Sequence, residues 1–253
     1  MISVKTAREL EQMRTACRIS AIALKAAGDA IEAGITTADL DTIIYDTILR
    51  YGAKPNFKGL YGFPGSACIS VNDQVIHGIP SKEVVIRPGD IVSIDTGAVI
   101  DGFNGDNAAT FACGKIDIEA QRLINVTRES LYKGIAAAVV GSRVGNISAA
   151  VQTWVEENGF SVVRDYVGHG VGKKLHEEPE VPNFVTTKQG PRLVSGMTLA
   201  IEPMVNQKGY EVKNLSNGWT VVTVDGGLSA HFEHTIAITA KGPEILTVAE
   251  EEA

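Results

Sequence analysis

The chain has 253 residues, with 23 Lys or Arg and 30 Asp or Glu, and a formal net charge of −7. Its residues are 44% hydrophobic and 21% charged, which is a globular composition and excludes a disordered or fibrous chain. The length fits one large domain or two small ones. The acidic balance argues against a protein that coats nucleic acid, because such proteins carry a basic excess.

Cysteine usage and hydropathy bear on the cellular compartment. Cys17, Cys68 and Cys113 are widely spaced, so neither a zinc ribbon nor a disulfide framework is indicated. The segment from Met1 to Arg18 has no apolar core typical of a secretory signal. The longest apolar stretch, Ile135–Val140, is far shorter than the ~20 residues of a membrane span. We therefore expect a cytoplasmic protein in a reducing compartment, with no membrane partner.

The residue pattern predicts helix, helix and strands, and then the same order again. The Thr6–Glu9 capping box begins the first helix, and Leu10, Met13, Cys17 and Ala21 continue it at helical spacing. Further helices are expected at Thr37–Tyr51, Ile118–Val140 and Asn146–Asn158, and strands at Ala67–Val71, Asp90–Gly97, Ala108–Ala112, Phe160–Arg164, Met197–Val205, Trp219–Val224 and His231–Thr239.

A constant offset of 107 residues relates the two parts of the chain. It joins Asp95 to Glu202 within similar apolar contexts, Gly-Asp-Ile-Val-Ser-Ile-Asp and Gly-Met-Thr-Leu-Ala-Ile-Glu. Chance matches among common residues are the alternative explanation. We expect an α+β fold in which a single domain, 1–253, consists of duplicated halves at about 6–113 and 117–240, with a cleft between them. The same offset joins three pairs of glycines, Gly34 and Gly141, Gly52 and Gly159, and Gly89 and Gly196.

Four acids lie at the edges of apolar strands, two in each half. They are Asp95, Asp106, Glu202 and Glu233. Because burying an unpaired carboxylate is very unfavourable, this arrangement indicates a shared cation.

The first two acids belong to a predicted hairpin. Asp101-Gly102 is a strong signal for a two-residue turn, and a turn centred there places Asp95 opposite Ala108. Asp106 then lies on the same face, diagonal to Asp95 at roughly 7–8 Å, close enough to share a metal. The other two acids are 31 residues apart rather than 11, so their equivalent hairpin would hold 20 extra residues.

The five histidines all fall beside a Gly/Pro turn or a suspected acid ligand. Taken singly, each is more often structural than functional; taken together, they strengthen the case for a site. They are His77, His169, His176, His231 and His234.

Four carboxylates with one imidazole make an oxygen-rich site, which suits two divalent ions such as Mn, Fe, Co or Zn. Two metals roughly 3.5–4 Å apart generate a nucleophilic hydroxide and stabilise a tetrahedral oxyanion. The sequence has no Gly-x-Ser-x-Gly elbow, no Walker motif and no dinucleotide fingerprint.

At this point the sequence resembles a known family, the type I methionine aminopeptidases of the short bacterial form, which have the pita-bread metallopeptidase fold. The resemblance implies two pseudo-symmetric helix-helix-strand halves around a central antiparallel sheet. It extends from Thr6 to Thr239 and is carried by Val71–Pro80, Ile94–Gly97, Asp101–Asp106, Gly168–Gly172, Leu175–Pro179, Met197–Pro203 and Phe232–Thr235.

The resemblance implies a role for each site residue. Asp106 and Glu233 would be bridging carboxylates, and His77 and His176 would contact the scissile peptide and help stabilise the tetrahedral intermediate. Glu202 would also pass a proton to the leaving amine. The implied metal ligands are Asp95, Asp106, His169, Glu202 and Glu233.

The implied substrate is a nascent protein or peptide with N-terminal Met and a small second residue. A metal-bridging water would attack its first peptide bond. Phe63, Cys68 and Trp219, with Phe57 or Leu60, are candidates for lining the Met pocket. No nucleic acid is expected as a substrate, the ribosome is left open as a partner, and a monomer is the family default.

Three positions depart from the family pattern. The family often has Tyr at Phe63 and an aromatic residue at Leu175, and it usually has Gln at His231. All five ligands are intact, so these departures concern pocket shape and substrate range rather than the chemistry.

Two other readings remain as alternatives. Xaa-Pro aminopeptidases and prolidases share the catalytic pattern but usually carry an extra N-terminal domain. A non-catalytic relative that binds protein or RNA is a reading of a different class, although such relatives lose ligands. The type II methionine enzymes carry a sizeable insertion, for which the separation of 26 positions from His176 to Glu202 leaves no room.

Overall fold

Two pairs of helices flank a curved antiparallel sheet in the computed structural model, which describes residues 2–249. The helices in this range are α1 (Ala7–Asp29), α2 (Thr37–Arg50), α3 (Ile118–Ala137) and α4 (Val144–Glu157). The strands are β1 (Lys54–Pro55), β2 (Ala67–Val71), β3 (Gln74–Ile76), β4 (Ile91–Ile100), β5 (Phe103–Ala112), β6 (Ser161–Val162), β7 (Gly168–Gly170), β8 (Glu177–Val181), β9 (Thr198–Ile201), β10 (Met204–Asn206), β11 (Val212–Asn214), β12 (Val221–Thr223), β13 (Ser229–His231), β14 (Glu233–Thr239) and β15 (Gly242–Ile245).

Capping boxes begin both helices of the first half. The Glu9 backbone N–H donates to the Thr6 hydroxyl at 3.3 Å, and the Thr6 N–H donates back to the Glu9 carboxylate at 3.0 Å. Thr36 and Asp39 repeat this exchange at the start of α2. Helix α2 ends before Gly52, whose φ of 74° is the left-handed conformation of a C-terminal cap. The capping box predicted at Thr6 is confirmed.

The main sheet follows the order β1-β4-β5-β14-β9-β7-β8, with β2 added on β4 and β15 on β14. Its central hairpin, β4–β5, turns through Asp101 and Gly102, whose φ angles are 50° and 78°. Positive φ at both positions is the turn that this dipeptide favours. Asp95 pairs with Ala108, so the predicted register of this hairpin is confirmed.

Each half has its own hydrophobic core beneath its pair of helices. Ile44 and Ile48 of α2 pack with Ile94 of β4 in the first half. Leu123 of α3 and Ile147 of α4 pack together in the second half. The sheet is thus supported by the helices of both halves.

The offset of 107 residues also appears in the backbone. Helices α2 and α4 match at both ends, as do the short strands β1 and β6. The isolated bridge between Thr36 and Val85 recurs as the bridge between Arg143 and Arg192. These matches support our proposal that one domain arose by duplication of halves 6–113 and 117–240.

Two predicted strands of the second half are interrupted. The segment Met197–Val205 divides into β9 and β10 at Glu202, and His231–Thr239 divides into β13 and β14 at Phe232. The two breaks face each other, because the Phe232 N–H donates to the Pro203 carbonyl at 3.3 Å. The sheet therefore bends where the second-half acids lie.

Two features of the described chain concern membrane insertion and disulfide bonding. Within residues 2–249, no helix has both the length and the apolar character required to cross a membrane. Cys17, Cys68 and Cys113 are buried with free thiols.

Candidate metal centre

Two acids lie in register on either side of one small residue at the centre of the sheet. Ala108 of β5 pairs with Asp95 on one side and with Glu233 of β14 on the other. Asp106 lies two residues before Ala108 on the same strand and therefore on the same face. Glu202 directly follows β9, whose last residue pairs beside Glu233. The four acids predicted from the sequence therefore converge on one face.

His169 completes this cluster from the short strand β7. Its Nδ1 lies 2.8 Å from the Gly170 carbonyl oxygen, which can only accept, so Nδ1 carries the proton. The free Nε2 lies 3.5 Å from Glu202 Oε1 and 3.7 Å from Asp106 Oδ2. One ligand atom from each of Asp106, His169 and Glu233 lies within 4.8 Å of the others. This arrangement fixes the tautomer that presents an imidazole lone pair to a metal.

The electrostatics of the cluster favour a cation. Burial raises the pKa of Asp95 to about 8. Burial, reinforced by mutual repulsion, raises the pKa values of Asp106, Glu202 and Glu233 well above the ordinary range. Burial also lowers the pKa of His169 to about 4, so its ring is neutral at pH 7. One buried oxygen on each of Asp95, Asp106 and Glu233 lacks a hydrogen-bond partner among the described residues. These residues fit a divalent metal, which would partner the oxygens and offset the repulsion.

Two threonine hydroxyls join the halves on either side of the β5–β14 pairing. Thr235 Oγ1 donates to the Asp106 carbonyl at 2.7 Å and accepts from the Asp106 N–H at 3.3 Å. Thr110 Oγ1 donates to the His231 carbonyl at 2.9 Å and accepts from the His231 N–H at 2.8 Å. Both side chains thus replace backbone hydrogen bonds where the strands diverge.

His77 forms part of the pocket wall near the acids. Its φ of 58° is left-handed, a conformation that costs energy in a non-glycine residue. Its ring packs edge-on against Tyr166, with centroids 5.7 Å apart, and against Trp219 at 6.3 Å. Burial lowers the pKa of His77 to about 4, so this imidazole is neutral at neutral pH.

His176 lies on another side of the same pocket. Its ring is edge-on to His169, with centroids 4.6 Å apart, and parallel to the exposed Tyr61 ring at 6.3 Å. Burial lowers the pKa of His176 as well. The two histidines predicted to contact the substrate therefore border the acid cluster without being part of it.

The acids open into an apolar cavity of about 390 Å³. Phe63 packs edge-on against Trp219, with ring centroids 5.1 Å apart, and both contact the cluster that includes Phe57 and Leu175. Burial raises the pKa of the Cys68 thiol well above its usual value, so this pocket residue is a poor nucleophile at neutral pH. All the pocket residues named from the sequence line the cavity: Phe57, Leu60, Phe63, Cys68 and Trp219.

The two histidines that flank Glu233 point to different surroundings. The His231 ring is buried, with Nε2 at 3.9 Å from Glu202 Oε2. The His234 ring lies away from the acids, with Nδ1 at 2.8 Å from the Thr247 hydroxyl and Nε2 at 3.4 Å from the Tyr132 hydroxyl.

Tyr61 and Tyr166 are pocket residues that the sequence pattern does not predict. Tyr61 has a left-handed φ of 50° and lies in a turn between Gly59 and Gly62. The glycines mark the turn, and Tyr166 lies two residues before Gly168. Both tyrosines contact their histidines only through the tertiary fold, so the sequence has no periodic signal for either.

Comparison with known proteins agrees with this geometry. The model of metallopeptidase family M24 matches residues 11–240. The chain belongs to metallopeptidase family M24. Within that family it is 54% identical over 250 residues to a methionine aminopeptidase of Clostridium acetobutylicum, covering 99% of this chain and 100% of that protein. It is 53% identical to methionine aminopeptidase 1 of Bacillus subtilis, covering 98% of this chain and 99% of that protein.

Solved structures of a methionine aminopeptidase and a prolidase show the same fold. The crystal structure of methionine aminopeptidase from Thermotoga maritima superposes with a TM-score of 0.96 at 48% identity, covering 98% of this chain and 99% of that one. The prolidase from Pyrococcus furiosus gives a TM-score of 0.80 at 24% identity, and the match covers only 66% of that chain. The α+β pita-bread prediction is confirmed, and the resemblance to prolidase is one of fold.

Proposed function

We propose that this M24 metallopeptidase removes the N-terminal methionine from peptides and nascent proteins whose second residue is small. The observation that carries the proposal is a cluster of buried acids, with unpartnered oxygens, that opens into an apolar pocket suited to one Met side chain. The full-length similarity to methionine aminopeptidases supports this function over an Xaa-Pro peptidase or a non-catalytic binding protein.

Two divalent ions, chosen from Co, Mn, Fe and Zn, are the proposed cofactors. Asp106 and Glu233 would bridge them, Asp95 would complete one site, and His169 and Glu202 would complete the other. When bound, such ions supply Lewis acidity and lower the pKa of water, and so provide a nucleophile at neutral pH. Acids from both halves would thus hold the metals at the junction of the two hairpins.

The protein's own groups would handle the peptide and its protons. Neutral His77 and His176 would hydrogen-bond the scissile peptide and stabilise the developing oxyanion. Glu202, which borders the pocket, would pass a proton to the leaving amine. These three residues are the proposed catalytic groups besides the metals.

The apolar pocket would bind the methionine side chain. Phe63 and Trp219, which pack edge-on against each other and line the cavity, would contact it, and the buried Cys68 would add a polarizable sulfur. Leu175, which is smaller than an aromatic ring, also lines the cavity, so we expect a somewhat wider pocket than in relatives with an aromatic residue there. The proposed location is the cytoplasm and the proposed state a monomer, with the ribosome as a further candidate partner.

A peptide panel tests the function directly. Protein reconstituted separately with Mn, Fe, Co and Zn is incubated with Met-Ala-Ser, Leu-Ala-Ser and Met-Pro-Ser, and with Ala-Pro-Ser to detect Xaa-Pro cleavage. We expect methionine release from the first peptide and little release from Leu-Ala-Ser. Absence of methionine release with every metal would overturn the proposal, and preferred cleavage of Ala-Pro-Ser would favour the Xaa-Pro alternative. Metal analysis of protein prepared without added metal addresses the physiological ion.

A further inference from the structure

A buried ion pair ties the N-terminal segment to the turn that carries His176. Lys5 Nζ lies 2.8 Å from Glu177 Oε2, with side chains only 3% and 13% exposed. The Lys5 backbone N–H also donates to the Gly196 carbonyl at 2.7 Å. Lys5 is therefore held at its backbone and at its charged end, and it is rigid enough to hold its partner.

Glu177 uses its other oxygen within the turn itself. Glu177 Oε1 accepts from the Lys174 N–H at 3.1 Å, so the carboxylate closes the segment on which His176 lies. At the start of this segment, the Asn104 amide donates to the Gly172 carbonyl at 2.9 Å. Both ends of the turn are thus fixed, one by the first half of the sheet and the other by Lys5.

Gly172 shows how tightly the pair fits. A Cβ at this position would lie 2.6 Å from Lys5 Cε, 2.7 Å from Glu177 Oε1 and 2.8 Å from Lys5 Nζ. The ion pair therefore packs directly on the backbone of the turn, and any side chain there would displace it.

We propose that Lys5 and Glu177 are positioning residues that hold the imidazole of His176 against the scissile peptide. Their side-chain contacts involve neither an acid of the metal cluster nor the apolar pocket, and the ion pair reaches His176 through the turn. The Glu177 carboxylate also acts electrostatically on His169, so metal content is measured beside kcat. The inference rests on the proposed function, because it assumes that His176 acts on the peptide.

The test measures whether Lys5 acts through His176. We compare kcat and KM for Met-Ala-Ser in Lys5→Met, in His176→Ala and in the double variant. Lys5→Met is expected to lower kcat at least 10-fold, with KM changed less than 3-fold and with unchanged metal content. In the His176→Ala background it is expected to lower kcat no further, because the group that it positions is absent.

A matched control lies in the same turn. Lys173 Nζ is 3.2 Å from Glu9 Oε1, and this pair also ties the N-terminal region to the turn, but the side chains are 69% and 28% exposed. Lys173→Met is expected to leave kcat within 2-fold of wild type. An equal loss in Lys173→Met and Lys5→Met would overturn the inference.

Two further outcomes would also overturn the inference. One is a decrease in kcat from Lys5→Met that is equally large with and without His176, and the other is loss of metal from Lys5→Met. If Lys5→Met does not fold, Glu177→Gln replaces it. The side-chain carbonyl oxygen of the new amide can still accept from Lys5, so we expect a smaller decrease in kcat that again depends on His176. An inactive wild-type protein would refute the proposed function itself. An active wild type in which Lys5→Met lowers kcat equally with and without His176 would refute this inference alone.

Discussion

The two halves of the molecule contribute equal numbers of acids, but the strands that carry these acids are connected differently. In the first half, β4 and β5 are unbroken ten-residue strands joined by a two-residue turn. In the second half, the corresponding strands are interrupted, and their connection holds the extra hairpin β11–β12. That connection carries Trp219, so the longer hairpin builds the wall that the shorter one lacks.

The acids follow the internal symmetry, and the histidines do not. Asp95 and Glu202 are related by the offset of 107 residues, and Asp106 and Glu233 by the same offset lengthened by the 20 extra residues. At that offset, the counterpart of His176 is Ile69. We infer that the acid ligands belong to the symmetry that the halves share, whereas each histidine of the site, His77 in the first half and His169 and His176 in the second, was acquired by one half alone.

Removing a symmetric acid should have the largest effect. Asp106→Asn is expected to abolish detectable activity and sharply reduce metal content, because a proposed bridging carboxylate is lost. It should also raise the thermal midpoint of the metal-free protein, since one repelling acid is gone. Asp101→Asn, at the exposed hairpin turn, is the matched control and should retain metal and activity. Normal metal content in Asp106→Asn would contradict the assignment.

Removing an asymmetric histidine should separate turnover from metal binding. His176→Ala is expected to lower kcat by about 10²–10³-fold, typical of losing a group that stabilises a tetrahedral intermediate, while metal content stays that of wild type. His234→Ala, whose ring contacts Thr247 and Tyr132, is the control and should keep kcat within about 3-fold. Metal loss from His176→Ala equal to that of Asp106→Asn would show that His176 is a ligand.

The two threonines that join the halves offer a paired test. Thr235→Val removes both hydrogen bonds to the Asp106 backbone and is expected to weaken metal binding about 10–100-fold, as for other groups that support ligands. Thr110→Val removes the equivalent bonds to His231 and is expected to cost about 1–3 kcal/mol of unfolding free energy with a smaller change in metal affinity. Metal titration and thermal unfolding of both variants measure this difference, and equal losses of metal affinity would refute it.

The smallest expected effect is a pH dependence of the metal-free protein. The folded-state pKa of Asp95 is raised from 3.8 to about 8, so the folded protein binds more protons than the unfolded chain, and its stability falls as pH rises towards 8. His77 and His169, with pKa values lowered from 6.5 to about 4, give stability that increases with pH below 6.5. Above pH 6.5, the change in stability with pH therefore comes from the protonation of the acids.

Between pH 6.5 and 8, the thermal midpoint of the metal-free protein should therefore fall as pH rises. Metal-loaded protein should change less, because its acids are already ionised and neutralised. Calorimetry of both forms across this range measures the effect, and a midpoint that rises with pH in the metal-free form would contradict it.

The sequence predicted most of the first half, where local signals dominate. The Asp101-Gly102 turn sets the register of a hairpin by itself, so the placement of Asp95 beside Asp106 followed from short-range rules. The five proposed ligands were also named from the sequence, and the fold brings them together. Their roles as ligands stay predictions.

Long-range contacts explain what the sequence did not predict. The apolar run through Glu202 looks like one strand, but it bends where it meets the break at Phe232, and that contact joins distant segments. Tyr61 meets His176, and Tyr166 meets His77, only once loops from different parts of the chain come together. Local periodicity contains no information about such contacts.

The β5–β14 junction also couples two equilibria. Within the described chain, these strands pair at Glu233 with Ala108 and at His234 with Asn107, and Thr110 and Thr235 extend the contact. The proposed bridging carboxylates come from opposite sides of this narrow junction. Metal binding and the association of the halves are therefore thermodynamically linked, so each strengthens the other. If the chain were divided between the halves, the fragments would be expected to bind each other more tightly with metal than without it.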